Sequence, residues 1–156
     1  MHAKHQYSLK TVWTGASQGP TGDYESYSRA YRVGIPGKPD LTGSADPAFR
    51  GDPTAHNPED LLVAALSACH MLSYLALCAR SRIMVIAYED DASGEMVVER
   101  GGGHFTEVVL RPRVVVAEAG MVERAKDLHD LAHKQCFIGG SVNFPVRHEP
   151  LVTANA

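Results

Sequence analysis

The sequence lacks any run of basic residues, any excess of positive charge and any large set of cysteines. Its 15 lysines and arginines are scattered among 18 acidic residues, and the net charge is −3. Nucleic acids and anionic membranes are bound by clustered cations, so this composition predicts neither as a partner. A small molecule or another protein is the expected partner.

Residues 1–10 lack the apolar stretch of a signal peptide or a membrane span, so we expect a cytosolic protein. The chain has three cysteines, and in a reducing compartment an odd number does not describe a disulfide framework. Three roles therefore remain for Cys69, Cys78 and Cys136, which are catalysis, redox sensing and simple burial.

The chain has 156 residues, 44% of them hydrophobic, which is the size of a single domain over residues 1–156 with one core. Its periodicity predicts an α+β fold with the helices on one side of mainly antiparallel sheets. A loop is expected over residues 40–56, and an amphipathic helix over residues 120–134. Strands are expected over residues 7–14, 23–35, 105–116 and 141–148, with a hairpin over 83–92 and 95–100.

The first helix has the strongest start signal in the sequence. Asn57 is the expected N-cap and Pro58 the first helical residue, and the acidic Glu59 and Asp60 follow at the positive end of the helix dipole. The next twenty residues are apolar on almost every face, which predicts a buried helix. Full coverage requires either a large sheet or a partner subunit, and in a chain this small we expect a dimer.

The three cysteines differ in their surroundings. Cys78 follows Cys69 by nine residues, which is half a turn at about 100° per residue, so the two thiols face opposite ways. Cys78 has apolar neighbours and is predicted to be a small core residue. Cys136 lies just past a helix in a Gly-rich stretch, where the backbone approaches other elements closely. We interpret Cys69 as the reactive thiol.

A reactive cysteine is held as a thiolate, and in an apolar helix a nearby guanidinium is the simplest means. Arg50 lies seven residues before Asn57 and is the first candidate, and Glu59 could hold it by a bidentate ion pair. Glu59 precedes Cys69 by ten residues, about 80° around the helix, so one guanidinium could bridge their neighbouring faces. The simpler interpretations are a solvated loop cation for Arg50 and a helix-dipole acid for Glu59.

Residues 57–62 (Asn-Pro-Glu-Asp-Leu-Leu), with Cys69 ten residues after Glu59 and Cys136 near the end of a later helix, resemble the osmotically inducible protein C and organic hydroperoxide resistance (OsmC/Ohr) family. The resemblance covers nearly the whole chain. It implies the OsmC-like fold, in which antiparallel sheets pack on a long central buried helix, and an intertwined homodimer. It also implies a thiol peroxidase that reduces organic hydroperoxides in oxidative-stress defence.

The resemblance further implies the roles of individual residues. Cys69 would be the peroxidatic cysteine, Cys136 the resolving cysteine and Glu59 the site glutamate. One branch of the family has its arginine in a Gly-rich loop after the first strand, but residues 14–22 contain none, which favours Arg50. Two arginines on the second predicted strand are fallback choices: Arg29 and Arg32.

In the implied mechanism, the Cys69 thiolate attacks the peroxide O–O bond and becomes a sulfenic acid. Cys136 then closes a disulfide, which a dithiol reductant, often of the lipoyl type in the family, reopens. No cofactor and no metal is expected. In many relatives a Pro and a small polar residue follow the second cysteine, whereas Phe137 follows it here and alters the pocket.

Three alternatives remain open on sequence grounds. His129 and His133 have the i, i+4 spacing of two metal-binding imidazoles, but Asp130 replaces the glutamate that a zinc protease needs after the first histidine. His70, beside Cys69 but about 100° away on the helix, is a candidate general base. The third alternative is a non-catalytic dimer or a small-ligand-binding protein with idle thiols.

Overall fold

The structure is a computed structural model, and it describes residues 3–155. Residues 1, 2 and 156, at the ends of the predicted single domain, lie outside the described residues. The chain forms two compact units that divide between Leu61 and Leu62. A single domain over residues 1–156 stays a prediction.

The regular elements are two long helices and nine strands among the described residues. In chain order they are β1 (Lys10–Trp13), β2 (Tyr31–Gly34), β3 (Leu41–Gly43), α1 (Pro58–Arg80), β4 (Val85–Asp90), β5 (Ser93–Glu99), β6 (Gly102–Leu110), β7 (Pro112–Val116), α2 (Val122–Gln135), β8 (Val146–His148) and β9 (Leu151–Ala154). Short 3-10 helices also occur, at Thr14–Gln18, Pro47–Phe49, Ala119–Met121 and Gly139–Ser141.

The first unit is built on one antiparallel sheet in the order β1-β2-β3. The indole nitrogen of Trp13 donates a hydrogen bond to the Ser28 carbonyl at 2.7 Å, which ties the segment between β1 and β2 back to the sheet. Both predicted strands of this region are present but shorter than expected. The predicted loop over residues 40–56 contains β3 and the 3-10 helix Pro47–Phe49.

The second unit contains two three-stranded sheets, in the orders β4-β7-β9 and β5-β6-β8. In each sheet one pair of strands is antiparallel, namely β4 with β7 and β5 with β6. The two short C-terminal strands add parallel pairs, β8 to β6 and β9 to β7. This arrangement of strands and helices confirms the predicted α+β class.

The predicted start of α1 is confirmed in atomic detail. The Asn57 side-chain oxygen accepts a hydrogen bond from the Asp60 backbone N–H at 2.8 Å, and the Asp60 carboxylate accepts one from the Asn57 N–H at 3.3 Å. These reciprocal bonds satisfy backbone donors that the helix itself leaves free. α1 therefore begins at Pro58, as its local sequence predicts.

One stripe of α1 is buried in two separate cores of the second unit. Leu66 packs with Val108 and Leu110 in one core, which we call the upper core. The other, which we call the lower core, contains side chains of α1, α2, the β4-β7-β9 sheet and the turn between α1 and β4: Tyr74, Leu77, Cys78, Ile83, Val114, Val116, Ala125, Ala132 and Val152. The spacings of three and four residues along α1 are those of one helix face.

The opposite face of α1 is exposed, which differs from the expectation of burial on almost every face. Its exposed residues recur every four positions: Ala64, Ala68, Leu72 and Ala76. Leu72 is 63% exposed. α1 is also long and apolar enough to cross a membrane, but its buried residues pack in the two protein cores.

The predicted hairpin over residues 83–100 is wrong. β4 pairs with β7, and β5 pairs with β6 in the other sheet. The two strands separate after Asp90, because its carboxylate accepts hydrogen bonds from the Ser67 hydroxyl and the Arg111 backbone N–H, both at 2.6 Å. The Asp90 carboxylate thus fixes the point where the chain changes sheets.

Two further strand boundaries differ from the predictions. The expected strand over residues 105–116 is divided into β6 and β7, since Pro112 has no N–H for a continuous ladder and the N–H of Arg111 is bonded to Asp90. The expected strand over residues 141–148 is reduced to β8, because a 3-10 helix covers Gly139–Ser141. β9 was not predicted from the sequence.

Candidate active site

Cys69 and Cys136 come together in the second unit. Cys69 lies in the middle of α1 and is half-buried, while Cys136 is the C-cap of α2 and is 5% exposed. Burial raises the pKa of the Cys136 thiol to about 11, and the neighbouring Cys69 thiol raises it as well. The Gly139 backbone N–H donates a hydrogen bond to the Cys136 sulfur at 3.3 Å and opposes this rise.

Cys78 lies apart from this pair, in the lower core. It is 1% exposed and touches Tyr74. Burial raises the pKa of the Cys78 thiol, which keeps it in the unreactive protonated form near neutral pH. The observed burial matches the core position that its apolar sequence neighbours predict.

An open cavity of about 750 Å³ lies beside Cys136. It is lined by the C-terminal half of α1, the last turn of α2 and the segment that follows: Ser73, Ala76, Arg80, Lys134, Gln135, Cys136, Phe137, Gly140 and Ser141. Phe137, which follows Cys136 in place of the expected Pro, is 85% exposed at this cavity. Neither Arg80 nor Lys134 stands out in the sequence, because each resembles an ordinary cation at a helix C-terminus.

The predicted site arginine, Arg50, lies in the first unit with an unusual backbone. Its φ of 66° is left-handed, at the end of the 3-10 helix Pro47–Phe49. The next residue must be a glycine, since a Cβ atom on Gly51 would lie 1.6 Å from the Ala45 carbonyl oxygen. The expected ion pair of Arg50 with Glu59 is absent, because a guanidinium nitrogen of Arg50 lies 2.5 Å from the Glu25 carboxylate instead.

Glu59 is the second predicted site residue of the first unit. One of its carboxylate oxygens is buried and has no hydrogen-bond partner among residues 3–155. The hydroxyl of Tyr31 is likewise buried and unpaired, and its pKa is raised by burial and then by the charges of Glu59 and Asp60. Glu59 therefore faces a polar group of its own unit.

The two fallback arginines have other partners. The Arg32 guanidinium forms an exposed ion pair with Asp40 at 2.6 Å. Arg29 donates hydrogen bonds to the backbone carbonyls of Tyr24 and Tyr27, and its guanidinium lies 3.8 Å from the centre of the Tyr27 ring. Arg29 also lines a cavity of about 300 Å³ within the first unit.

A cluster of histidines occupies the interior between α1 and α2. His70 and His129 are completely buried, with the His70 Nε2 and the His129 Nδ1 3.0 Å apart. The His129 ring stacks on Tyr74 at 3.8 Å, and His148 is bonded to Asp130 at 2.8 Å. Within residues 3–155, no group of three or more His, Cys, Asp or Glu is placed to hold a metal ion. The His70 ring is thus engaged with another histidine of the interior.

The chain belongs to the OsmC-like protein family, since the sequence model of that family matches residues 51–150. The predicted family is therefore confirmed. An OsmC-like protein of unknown function from Vibrio cholerae has a similar structure, with 33% identity and a TM-score of 0.85 over 95% of this chain and all of that one.

Two other similar proteins extend the comparison. The uncharacterised protein YmaD of Bacillus subtilis is 25% identical over 134 residues, which are 86% of this chain and 79% of YmaD. An organic hydroperoxide resistance protein from Elizabethkingia anophelis shares the fold with 20% identity and a TM-score of 0.68, over 98% of this chain and all of that one. At this identity the likeness shows the fold alone.

The buried histidines predict a pH-dependent stability. Burial, followed by the charges of neighbouring histidines, lowers the pKa of His70 to about 4 and that of His129 to about 3. In the unfolded chain both titrate near 6.5, so the unfolded state binds more protons below that pH. The free energy of unfolding should therefore be highest above pH 7 and fall towards pH 5, by about 1 kcal/mol per pH unit for each histidine.

Urea unfolding between pH 7 and pH 5 measures this slope. His129→Phe should reduce the slope, whatever its effect on stability at pH 7, because one buried titrating group is removed. His104→Gln, at an exposed position on β6, is the control and should leave it unchanged. The same slope in His129→Phe as in the wild type would contradict the assignment.

Proposed function

We propose that the protein is a cytosolic thiol peroxidase that reduces organic hydroperoxides, with Cys69 as the peroxidatic and Cys136 as the resolving cysteine. The observation that carries the proposal is the meeting of Cys69 with Cys136, at the site where the family resemblance requires a redox pair. Two solved structures with this fold, from Elizabethkingia anophelis and Legionella pneumophila, are described as organic hydroperoxide resistance proteins, which supports a peroxide-related role.

The first step is the oxidation of Cys69. Its thiolate attacks the distal peroxide oxygen, the O–O bond breaks, and the alcohol leaves after protonation while Cys69 becomes a sulfenic acid. Arg50 stabilises the thiolate and the charge that develops on the leaving oxygen, and Glu59 orients the arginine. This role requires Arg50 to exchange its exposed partner Glu25 for the site, and an exposed ion pair is weak enough to exchange.

The second step is the closure of the disulfide. The Cys136 sulfur attacks the Cys69 sulfenic acid and water leaves, which protects Cys69 from irreversible oxidation. The thiol of Cys136 must lose its proton for this attack, and its high pKa makes the proton loss unfavourable. The Gly139 N–H, which already bonds to the sulfur, stabilises the developing thiolate. A dithiol, of the lipoyl type in the family, then reopens the disulfide.

The protein is also proposed to act as an intertwined homodimer. The exposed stripe of α1, with Leu72 at its centre, is apolar for the whole length from Ala64 to Ala76. Three of its four residues are alanines, which let a second helix approach closely, so the partner's α1 is the expected cover. This arrangement would bury the face of α1 that the described chain leaves in solvent.

Substitution of the cysteines tests the proposed roles. Cys69→Ser should reduce the consumption of cumene hydroperoxide with a dithiol by about a hundredfold or more, because the nucleophile is lost. Cys136→Ser should also stop steady turnover, but Cys69 should still be oxidised once and be trapped by a sulfenic-acid reagent. Cys78→Ala is the control and should retain turnover. Full turnover in Cys136→Ser would refute the resolving role. A wild-type protein whose thiols do not react with cumene hydroperoxide would refute the peroxidase function.

Substitution of the arginines identifies the activating cation. Arg50→Ala should lower kcat/KM for cumene hydroperoxide by at least about tenfold, since removal of one donor at a developing charge typically costs this much or more. Arg32→Ala removes an exposed ion pair of the same unit and should change kcat/KM less than twofold. A large loss of kcat/KM in Arg32→Ala or Arg29→Ala, with Arg50→Ala unaffected, would assign the activation of Cys69 to that arginine instead of Arg50.

The exposed stripe of α1 predicts the oligomeric state. Sedimentation should give the wild type twice the 16.9 kDa mass of one chain, and Leu72→Asp should shift it to the monomer, because a charge cannot be buried at an apolar helix contact. Val98→Asp on β5, where Val98 is also 63% exposed, is the matched control and should stay dimeric. A monomeric wild type, or a dimeric Leu72→Asp, would be the opposite result.

A further inference from the structure

The first unit contains an open cavity of about 300 Å³, which we call the aromatic cavity. All of its lining residues belong to that unit, and neither a cysteine nor an acidic residue is among them: Trp13, Thr21, Tyr27, Arg29, Tyr31, Ser44, Ala45 and Pro58. This volume is at the lower end of the usual range for small-molecule sites, so it suits a ligand of about one ring.

The walls of the aromatic cavity include flat rings. The indole nitrogen of Trp13 is bonded to the Ser28 carbonyl, which holds the ring in place, and Trp13 is 38% exposed. The ring of Tyr27 lies edge-on to the indole, with the ring centres 6.2 Å apart and the planes at 82°. Aromatic faces held in this way bind a further ring through stacked or edge contacts. The walls therefore suit an aromatic ligand.

Three polar side chains of the cavity can donate hydrogen bonds. The Arg29 Nε and the Tyr31 hydroxyl are both buried, and neither has a hydrogen-bond partner among residues 3–155. Ser44 is 3% exposed, and its Oγ accepts a hydrogen bond from the Asp52 backbone N–H at 3.0 Å, which leaves its own hydrogen free to donate. Buried donors without an acceptor cost free energy, so a ligand that supplies acceptors is favoured here.

The charges of the site favour an anionic acceptor. Within residues 3–155, the two terminal nitrogens of Arg29 donate to the backbone carbonyls of Tyr24 and Tyr27, which are neutral, so no carboxylate compensates the guanidinium. Burial, and then the charges of Glu59 and Asp60, raise the pKa of the Tyr31 hydroxyl, which keeps it a donor near neutral pH. A carboxylate forms strong charge-assisted hydrogen bonds with such donors.

We propose that the aromatic cavity binds a small aromatic carboxylate. The ring of the ligand packs against Trp13 and Tyr27, and its carboxylate accepts hydrogen bonds from Arg29 and Tyr31. Because both donor atoms are buried, the lining side chains shift as the carboxylate reaches them, as side chains at binding sites commonly do. This binding is independent of the peroxidase function, since no cysteine takes part in it.

Trp13 is the only tryptophan of the chain, so its fluorescence reports binding at the cavity directly. The full-length protein is titrated with phenylacetate and with phenylacetamide, which have the same ring and differ in the charged group. Phenylacetate should change the emission saturably, with a dissociation constant of about 1 mM or below. Phenylacetamide should bind about tenfold more weakly, because it cannot form charge-assisted hydrogen bonds. Acetate, which lacks the ring, should cause no change.

Substitution of Arg29 assigns the preference for charge. Arg29→Met keeps an apolar stem without the guanidinium, so it should bring the ratio of the two dissociation constants close to one, whereas Arg29→Lys should retain part of the preference. Arg32→Ala is the matched control, because Arg32 is a cation of the same unit that pairs with Asp40 and does not line the cavity. This variant should keep the wild-type ratio.

Tyr31→Phe tests the second donor and leaves the backbone contacts of Arg29 in place. Only the hydroxyl oxygen is removed, so phenylacetate should bind about three- to tenfold more weakly, while the emission spectrum without ligand stays that of the wild type. Tyr24→Phe is the control, since Tyr24 is 57% exposed and does not line the cavity, and it should leave the affinity unchanged.

Three results would overturn the proposal. The first is an emission of the wild type that shows no saturable change with phenylacetate up to about 10 mM, which is also the result expected if a second copy of the chain covers the cavity. The second is equal affinity for phenylacetate and phenylacetamide. The third is a wild-type ratio in Arg29→Met together with wild-type affinity in Tyr31→Phe.

Discussion

Leu66, Tyr74 and Leu77 fix the rotation of α1 about its own axis, because all three are buried in cores that the sheets of the second unit also line. Cys69 cannot turn away from its position without removing one of these side chains from its core. Each such removal would cost several kcal/mol for a large apolar residue. The direction of the Cys69 thiol is therefore set by packing at some distance from the thiol itself.

The same rotation of α1 determines where the other polar groups go. It places His70 in the dry interior against His129, and Cys78 in the lower core, so neither is available for chemistry at the surface. It turns the remaining apolar stripe, with Leu72, towards solvent. One helix thus carries the proposed reactive cysteine, one member of a buried histidine pair and an exposed apolar stripe, each on a different face.

Local signals in the sequence were sufficient for the start of α1 and for the burial of Cys78, whereas the pairing of Cys69 with Cys136 was expected from the family resemblance. Asn57 as the N-cap, followed by Pro58, predicted the start of α1, and the apolar neighbours of Cys78 predicted the burial of its thiol. Both predictions depend only on neighbours within a few residues or on helix geometry. Pro112 was a local signal that was overlooked, since proline interrupts a strand ladder.

Contacts between distant parts of the chain were not predictable in this way. The pairing of β4 with β7 depends on Asp90 accepting bonds from Ser67 and Arg111, which lie 23 and 21 residues away. The Glu25 partner of Arg50 is 25 positions earlier, and many carboxylates of the chain are equally plausible partners on charge alone. Arg80 and Lys134 are far apart in the sequence, and only folding brings both to the cavity of Cys136.

The central claim is that Cys69 and Cys136 form one redox pair from which Cys78 is excluded. The most direct measurement is peptide mapping by mass spectrometry after the reduced protein reacts with one equivalent of cumene hydroperoxide. A disulfide between Cys69 and Cys136, with Cys78 still a free thiol, is the predicted result. A disulfide that includes Cys78, or three unmodified thiols, would contradict the claim.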